Sequence, residues 1–359
     1  MRAARPTLWL RGWLWLRHWL KRPVESGFAV LLLGAAALVL PGLVRWAVLD
    51  ATWQGTSRAD CDVGGACWAL ITARIDLFTF GSYPPSERWR VFLALFWFLS
   101  IVLAAVWAPR RLFRVAPMAL FVLPFFPGSV ILMCGGVLGL APVETRDWGG
   151  ILLTVAMTIA AVSIAFPLAL LLALGRQSKL PLLRSIAVAF IEFWRGVPIL
   201  AVVFLASTLL PLVVPDGVTI DRLLRAIVGL ALVGSAFMAE AIRAGLQAVP
   251  ASQAEAAQSL GLGYWRTQAF IVLPQGLRIA MPGLVNELNG ILKSTTLVLI
   301  VSLFEILGSV QAALSDPNWV GLSDEAYIFA GLVFWCLCFG VSCLGKSIER
   351  RLAVGGERQ

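Results

Sequence analysis

Histidine is nearly absent: His18 is alone among 359 residues. One imidazole cannot build a histidine metal centre or a catalytic triad within a single chain. Charge is scarce as well, at 14% of residues against 59% hydrophobic. A soluble domain carries about a quarter charged residues, so that class is excluded. The basic N-terminal segment is long and Trp-rich, and no small-residue cleavage site follows the first apolar run, so no cleavable signal peptide is expected. What is present instead is a series of uncharged runs, several long enough to cross a hydrocarbon core of ~30 Å. They are too long and too uniformly apolar for the short alternating strands of a barrel. The expected fold is an all-α polytopic membrane protein.

The formal charge of +9 is placed rather than spread. Arg2, Arg5, Arg11, Arg17, Lys21 and Arg22 crowd the start, and Lys346, Arg350, Arg351 and Arg358 the end. That pattern marks two cytoplasmic termini under the positive-inside rule and gives no reason to invoke nucleic acid. Trp9, Trp13, Trp15 and Trp19 stand among leucines, which suggests a helix lying in the lipid of the inner leaflet.

About eight spans follow in order, at 27–44, 91–108, 115–140 (interrupted by Pro117, Pro124 and Pro127), 149–174, 186–215, 226–246, 282–307 and 326–344. The polar segment 47–90 then lies outside, in an oxidising compartment. It holds Cys61 and Cys67, for which a disulfide and two free thiols both fit. Cys134, Cys336, Cys338 and Cys343 fall in apolar runs and read as small buried hydrophobes. Spans in the first half are free of charge, whereas Glu192, Arg195, Glu240, Arg243, Glu287, Lys293 and Glu305 lie in or beside those of the second. A charge at bilayer depth costs about 2.5–3.5 kcal/mol on insertion scales, so such residues face a bundle interior, a pathway or an interface. Glu240 is the candidate for a substrate pathway, together with Phe237. Its alternative is an ion pair with Arg243, three residues on.

The stretch 250–274 differs from its surroundings in being polar and rich in small residues. Ser252 and Glu255 have capping-box spacing, and Gly261 can stop a helix in the left-handed region. A helix of roughly two turns results, with Ala254, Ala257 and Leu260 on its apolar side. It is too short to be stable unless docked. Glu255-Ala256-Ala257, then Gly261, then Ile271-x-Leu273-Pro274 resemble, at every fixed spacing, the EAA loop of ABC-importer permease subunits. The resemblance implies a coupling helix received by a groove of a cytosolic ATPase, with Glu255 to Gly261 transmitting force.

Residues 149–351 resemble the polar amino-acid branch of these permeases, whose core has five helices. The matching segments are 190–198 (FIEFWRGVP), 234–245 (GSAFMAEAIRAG), Asn286 and 293–297 (KSTTL). Residues 1–148 form an extension with the interfacial helix, three spans and a periplasmic loop. Its segments 66–69, 80–84 and 87–90 are similar to the general L-amino-acid subtype. Phe237 departs from the branch, which usually carries Tyr there, and Ser252-Gln253 replaces Gly-Gln.

The resemblance implies an inner-membrane permease importing amino acids, with a broad L-amino-acid range. It implies a cytosolic ATPase dimer, a second permease subunit that is a different paralogue, and an external amino-acid-binding protein. The chain itself would bind no cofactor and catalyse no reaction, ATP being used by the partner. Residues 340–347 match a Walker A string, but at the end of an apolar span with no strand before it they cannot cradle phosphate. The alternative is an ATP-independent secondary transporter, which should carry internal repeats and functional charges in both halves.

Overall fold

The computed structural model describes residues 23–107, 125–213, 215 and 219–353. The interfacial helix expected around Trp9–Trp19 lies outside these residues. Packing divides the chain into two units. One comprises residues up to Ala73 with Asn318–Glu325, and the other Arg74–Pro317 with the remainder of the C-terminal helix.

The first unit contains α1 (Pro23–Val44), continued by a π-helical turn at Arg45–Leu49. Beyond it a loop folds on itself. Cys61 and Cys67 are joined as a disulfide. The Thr52 amide donates to Ala66 O at 2.8 Å and the Ala69 amide to Thr52 O at 3.1 Å. Trp68 packs against Trp46 and Trp53, with ring centroids 6.2 and 6.1 Å away. The Asp60 carboxylate accepts from the amides of Thr56 and Ser57 at 2.7 and 3.0 Å, which holds its pKa below the usual carboxylate value. Glu325 accepts from the buried amide of Cys67 at 3.0 Å.

The helices then run α2 (Ala69–Phe80), α3 (Arg88–Trp107), α4 (Phe125–Cys134), α5 (Gly150–Arg176), α6 (Pro181–Gly196), α7 (Ile199–Val213) and α8 (Arg222–Gln247). Next come α9 (Ala251–Ser259), α10 (Tyr264–Val301), α11 (Ile306–Leu314) and α12 (Ser323–Ala353). No strand longer than an isolated bridge is found among the described residues. The all-α membrane fold is therefore as expected. Among the described residues five helices are long and apolar enough to cross a membrane, or six with the bent pair α6–α7, so eight are not counted there.

Of the run at 115–140 only the part from Phe125 is described, and Phe125–Cys134 is helical there. Gly135, Gly136 and Gly139 at positive φ turn the chain away. One difference has a clear cause. The run at 186–215 is not one span but two helices bent by 103°. Val197 precedes a proline and is extended (φ −90°, ψ 131°), and Pro198 has no N–H to continue the ladder. Glu192 and Arg195 consequently lie on the amphipathic α6 and not in the apolar α7.

In the second unit α8 is the helix around which the others pack. It touches α5, α6, α7 and α10, and 67% of its most apolar window is buried, against 28% for α5 and α10. Its sequence explains this: Gly229, Ala231, Gly234, Ser235, Ala236 and Ala239 let neighbouring backbones approach, as membrane packing without a hydrophobic driving force requires. Gly245 carries this furthest, facing Gly276 of α10. A Cβ there would overlap the Gly276 carbonyl oxygen and lie 2.9 Å from the Ala280 nitrogen.

Candidate functional site

Helix α9 begins at Ala251 because Pro250 is extended at its N-cap (φ −58°, ψ 136°) while its carbonyl accepts from the Gln253 amide at 3.0 Å. Ser252 is thereby inside the first turn, no side chain caps the helix, and the expected Ser252–Glu255 capping box does not form. The other end is as the sequence suggests. Gly261 has φ +80°, its amide donates to Gln258 O at 2.9 Å, and the Leu262 amide donates to Ala257 O at 3.1 Å. This is the paired hydrogen-bond pattern of a Schellman stop.

The polar loop is much shorter than 250–274. Gly263 is already the N-cap of α10, and the Thr267 amide donates to its carbonyl at 2.9 Å. Ile271 lies in a π-helical turn (Gln268–Val272), and Leu273 and Pro274 open the regular α segment that follows. A proline inside a helix removes one donor, and a π turn directly before it is a common way to absorb that loss. The span expected to start at Pro282 therefore starts at Tyr264 and reaches Val301, where Ser302 (φ +59°) breaks it.

Ala257 is the one fully buried residue of α9, Ala254 is half-buried, and Glu255 and Ala256 face outward. Gln275 of α10 donates to Gln253 at 3.5 Å and to Ile271 O at 2.9 Å, and α9 packs on the π turn. The docking that so short a helix needs is thus supplied by α10. Apolar side chains lie uncovered beside it: Leu260 is 83% exposed, Trp265 76% and Phe270 71%. A short polar helix, stopped at one end and held from below, presents a mixed polar and apolar face.

An ion-pair cluster lies where α5 ends. Glu240 of α8 receives Arg176 of α5 at 2.6 Å and Arg243 at 2.8 Å. Arg176 also reaches Glu192 of α6 at 3.0 Å, and Arg195 approaches Glu192 at 3.9 Å. The guanidinium of Arg195 stands over the Phe237 ring, 5.6 Å from its centroid. Glu240 is thus shared by two guanidinium groups, while Phe237, three residues earlier on the same helix, lies under Arg195. Arg243 is the partner the sequence offered. Arg176 was legible only as a basic residue at a helix C-terminus, a favourable place for a cation in any helix. The cluster is seven residues, about 10 Å of helix, before α8 ends at Gln247 and the chain turns into α9.

Among the described residues no group of three or more His, Cys, Asp or Glu could hold a metal. The Walker-like segment 340–347 is interior to α12, so its amides are spent on the helix ladder.

Comparison with known proteins agrees with this geometry. The family model described as "Binding-protein-dependent transport system inner membrane component" matches residues 165–354. The chain is 45% identical to the inner membrane amino-acid ABC transporter permease protein YhdY of Escherichia coli, over 88% of this chain and 86% of that protein. It is 34% identical to the glutamate/glutamine/aspartate/asparagine transport system permease protein BztC of Rhodobacter capsulatus, over 92% and 91%. A solved amino acid ABC transporter crystallised with histidines is similar at a TM-score of 0.50 and 29% identity, covering 56% of this chain and 92% of that one. These relatives give no support to the ATP-independent alternative. The chain belongs to the family of binding-protein-dependent transport system inner membrane components, the permeases through which ABC importers move their substrates while a separate subunit hydrolyses ATP.

Proposed function

We propose that the chain imports amino acids of a broad L range into the cytoplasm, as one of two permease subunits of which the other is a different paralogue. The observation that carries the coupling half of this reading is α9: capped by Gly261, seated on α10 and exposed on its outer face. A groove in a cytosolic ATPase dimer would receive it, with Glu255, Ala256, Ala257 and Gly261 on the helix and Ile271, Leu273 and Pro274 in the element that supports it. The substrate class rests on the names of the two relatives that match along most of their length. An external amino-acid-binding protein would deliver the cargo, and both termini would lie in the cytoplasm. ATP would be used by the partner and not by this chain.

Glu240 and Phe237 stand in this reading at the inner end of the pathway. The pairing of Glu240 with Arg176 and Arg243 suits a latch between α5 and α8 as well as a contact for a substrate ammonium. Glu240→Gln separates the two. As a substrate contact, its removal should raise KM for amino acids while ATP hydrolysis continues. As a latch, it should lower the maximal rate for every amino acid alike. Uptake of a panel of labelled amino acids by the whole complex in proteoliposomes reads both. Unchanged transport of all of them would remove Glu240 from the mechanism.

A further inference from the structure

The loop that follows α1 in the first unit has two sides of unequal strength, joined by the Cys61–Cys67 disulfide. The Cys67 side is buried and tied to the main chain around it. The Ala66 amide donates to Trp46 O at 2.9 Å, the Thr52 amide to Ala66 O at 2.8 Å, and Trp68 Nε1 to Ala47 O at 2.8 Å. The Cys61 side, residues 56–61, is mostly exposed and bonds largely to itself. The Asp60 amide donates to Ser57 O at 3.2 Å and the Cys61 amide to Arg58 O at 3.1 Å, while the Asp60 carboxylate closes on Thr56 and Ser57. The disulfide, with a hydrogen bond from the Asp62 amide to Thr52 Oγ1 at 3.2 Å, holds this arm to the buried side.

Both sides grip the chain that leads into α12, at different points. Cys67 gives its amide to Glu325, in the first turn of that helix, at 3.0 Å. Arg58, on the arm, donates from Nη1 to Val320 O at 2.6 Å. Gly321 makes room for the guanidinium: it has φ +87°, and a Cβ there would lie 1.8 Å from Arg58 Nη1.

The geometry points to a redox-operated latch, in which the Cys61–Cys67 disulfide holds Arg58 on Val320 and its reduction releases that grip while Cys67 stays bonded to Glu325. Cys61 is half-buried and Cys67 is buried, so a dithiol reaches the Cys61 sulfur first. Its thiolate bonds to that sulfur, the S–S bond breaks, and Cys67 leaves as a thiolate that takes a proton. The second thiol of the reductant then displaces Cys61, which is protonated in turn. The chain gains two electrons and two protons, and the reductant departs as its own disulfide. In the oxidising compartment to which the proposed orientation assigns this loop, the latch is closed at rest. The latch itself does not depend on that assignment.

Hydrogen exchange of the whole complex in nanodiscs, before and after dithiothreitol, tests this. The other four cysteines are free, so this disulfide is the bond the reagent breaks in the chain. Reduction is expected to speed exchange in peptides covering 317–322 about tenfold, the equilibrium worth of one charge-assisted hydrogen bond. Peptides covering 66–70 should keep their protection. Arg58→Ala should exchange faster at 317–322 without reductant, and dithiothreitol should add nothing further. Cys61→Ser should match the reduced wild type, and Cys336→Ser, at a free cysteine, should respond as wild type does. Exchange at 317–322 indifferent to reduction, or a reduction effect of equal size in Arg58→Ala, would overturn the latch. So would loss of protection across 46–70, the mark of a disulfide that merely staples the whole loop. Reduction of the wild type requires no variant to fold. Uptake is not read, so the outcome is independent of the substrate assignment.

Discussion

Gly245→Ala is expected to lower the apparent melting temperature of the assembled permease by roughly 6–12 °C, from a destabilisation of about 3 kcal/mol. The cause is a backbone contact. The added methyl would overlap the Gly276 carbonyl oxygen and stand 2.8 Å from Ala280 Cβ. Neither is the far end of a flexible side chain, so α8 and α10 must separate. Gly276 is equally confined, because a Cβ there would lie 2.6 Å from Leu246 Cδ2 and 3.0 Å from its Cα. The crossing also joins the last turn of α8 to the base on which α9 rests, so uptake should fall with stability. Gly196→Ala is the control, since a Cβ there meets nothing within 4 Å, and it should change stability by no more than about 0.5 kcal/mol. Thermal unfolding followed by size-exclusion chromatography compares the two. Equal melting temperatures would mean that the close crossing is not present in the membrane.

Gly261→Val should have the larger effect on function. Gly261 holds φ +80° with open space around it, so a side chain meets no neighbour and only the backbone is strained. A β-branched residue in that region costs about 1–3 kcal/mol. That cost falls on a nine-residue helix whose closing hydrogen bonds, from Gly261 to Gln258 and from Leu262 to Ala257, require this conformation. Unwinding the stop moves Leu260 and frees Ala257 from its burial. ATP-driven uptake should drop roughly tenfold or more while the subunits still co-purify. Gly263→Ala, with φ −67° and nothing within 4 Å, should transport normally. Similar uptake by both variants would remove the helix stop from the coupling mechanism.

Much of this was legible from residue type and spacing. The long apolar runs gave α1, α5, α8 and α12 because an uncharged stretch of about twenty residues has few alternatives in a bilayer. Gly261 was legible because few residues but glycine end a helix at positive φ. The failures share a cause: local signals yielded to tertiary ones. Ser252 looked like an N-cap, but Pro250 started the helix first. Pro274 and Pro282 looked like boundaries, yet α10 runs through both, one of them following a π turn. Pro198, in contrast, does break its run, and nothing in a hydropathy profile separates these prolines. Arg176 could not be paired with Glu240 from sequence, since 64 residues separate them. The shared helix packing of α5 on α8, set by small residues, is what brings them within 2.6 Å.

The central claim is that movement of substrate through this chain is driven by ATP hydrolysed on another subunit and transmitted through α9. The most direct measurement is uptake of labelled amino acids into proteoliposomes holding the complete complex and its binding protein, with ATP enclosed or withheld and with an imposed proton gradient as the alternative drive. The prediction is uptake that requires ATP, ignores the gradient and collapses in Gly261→Val with the complex intact. Uptake sustained by the gradient without ATP, and indifferent to Gly261→Val, would contradict it.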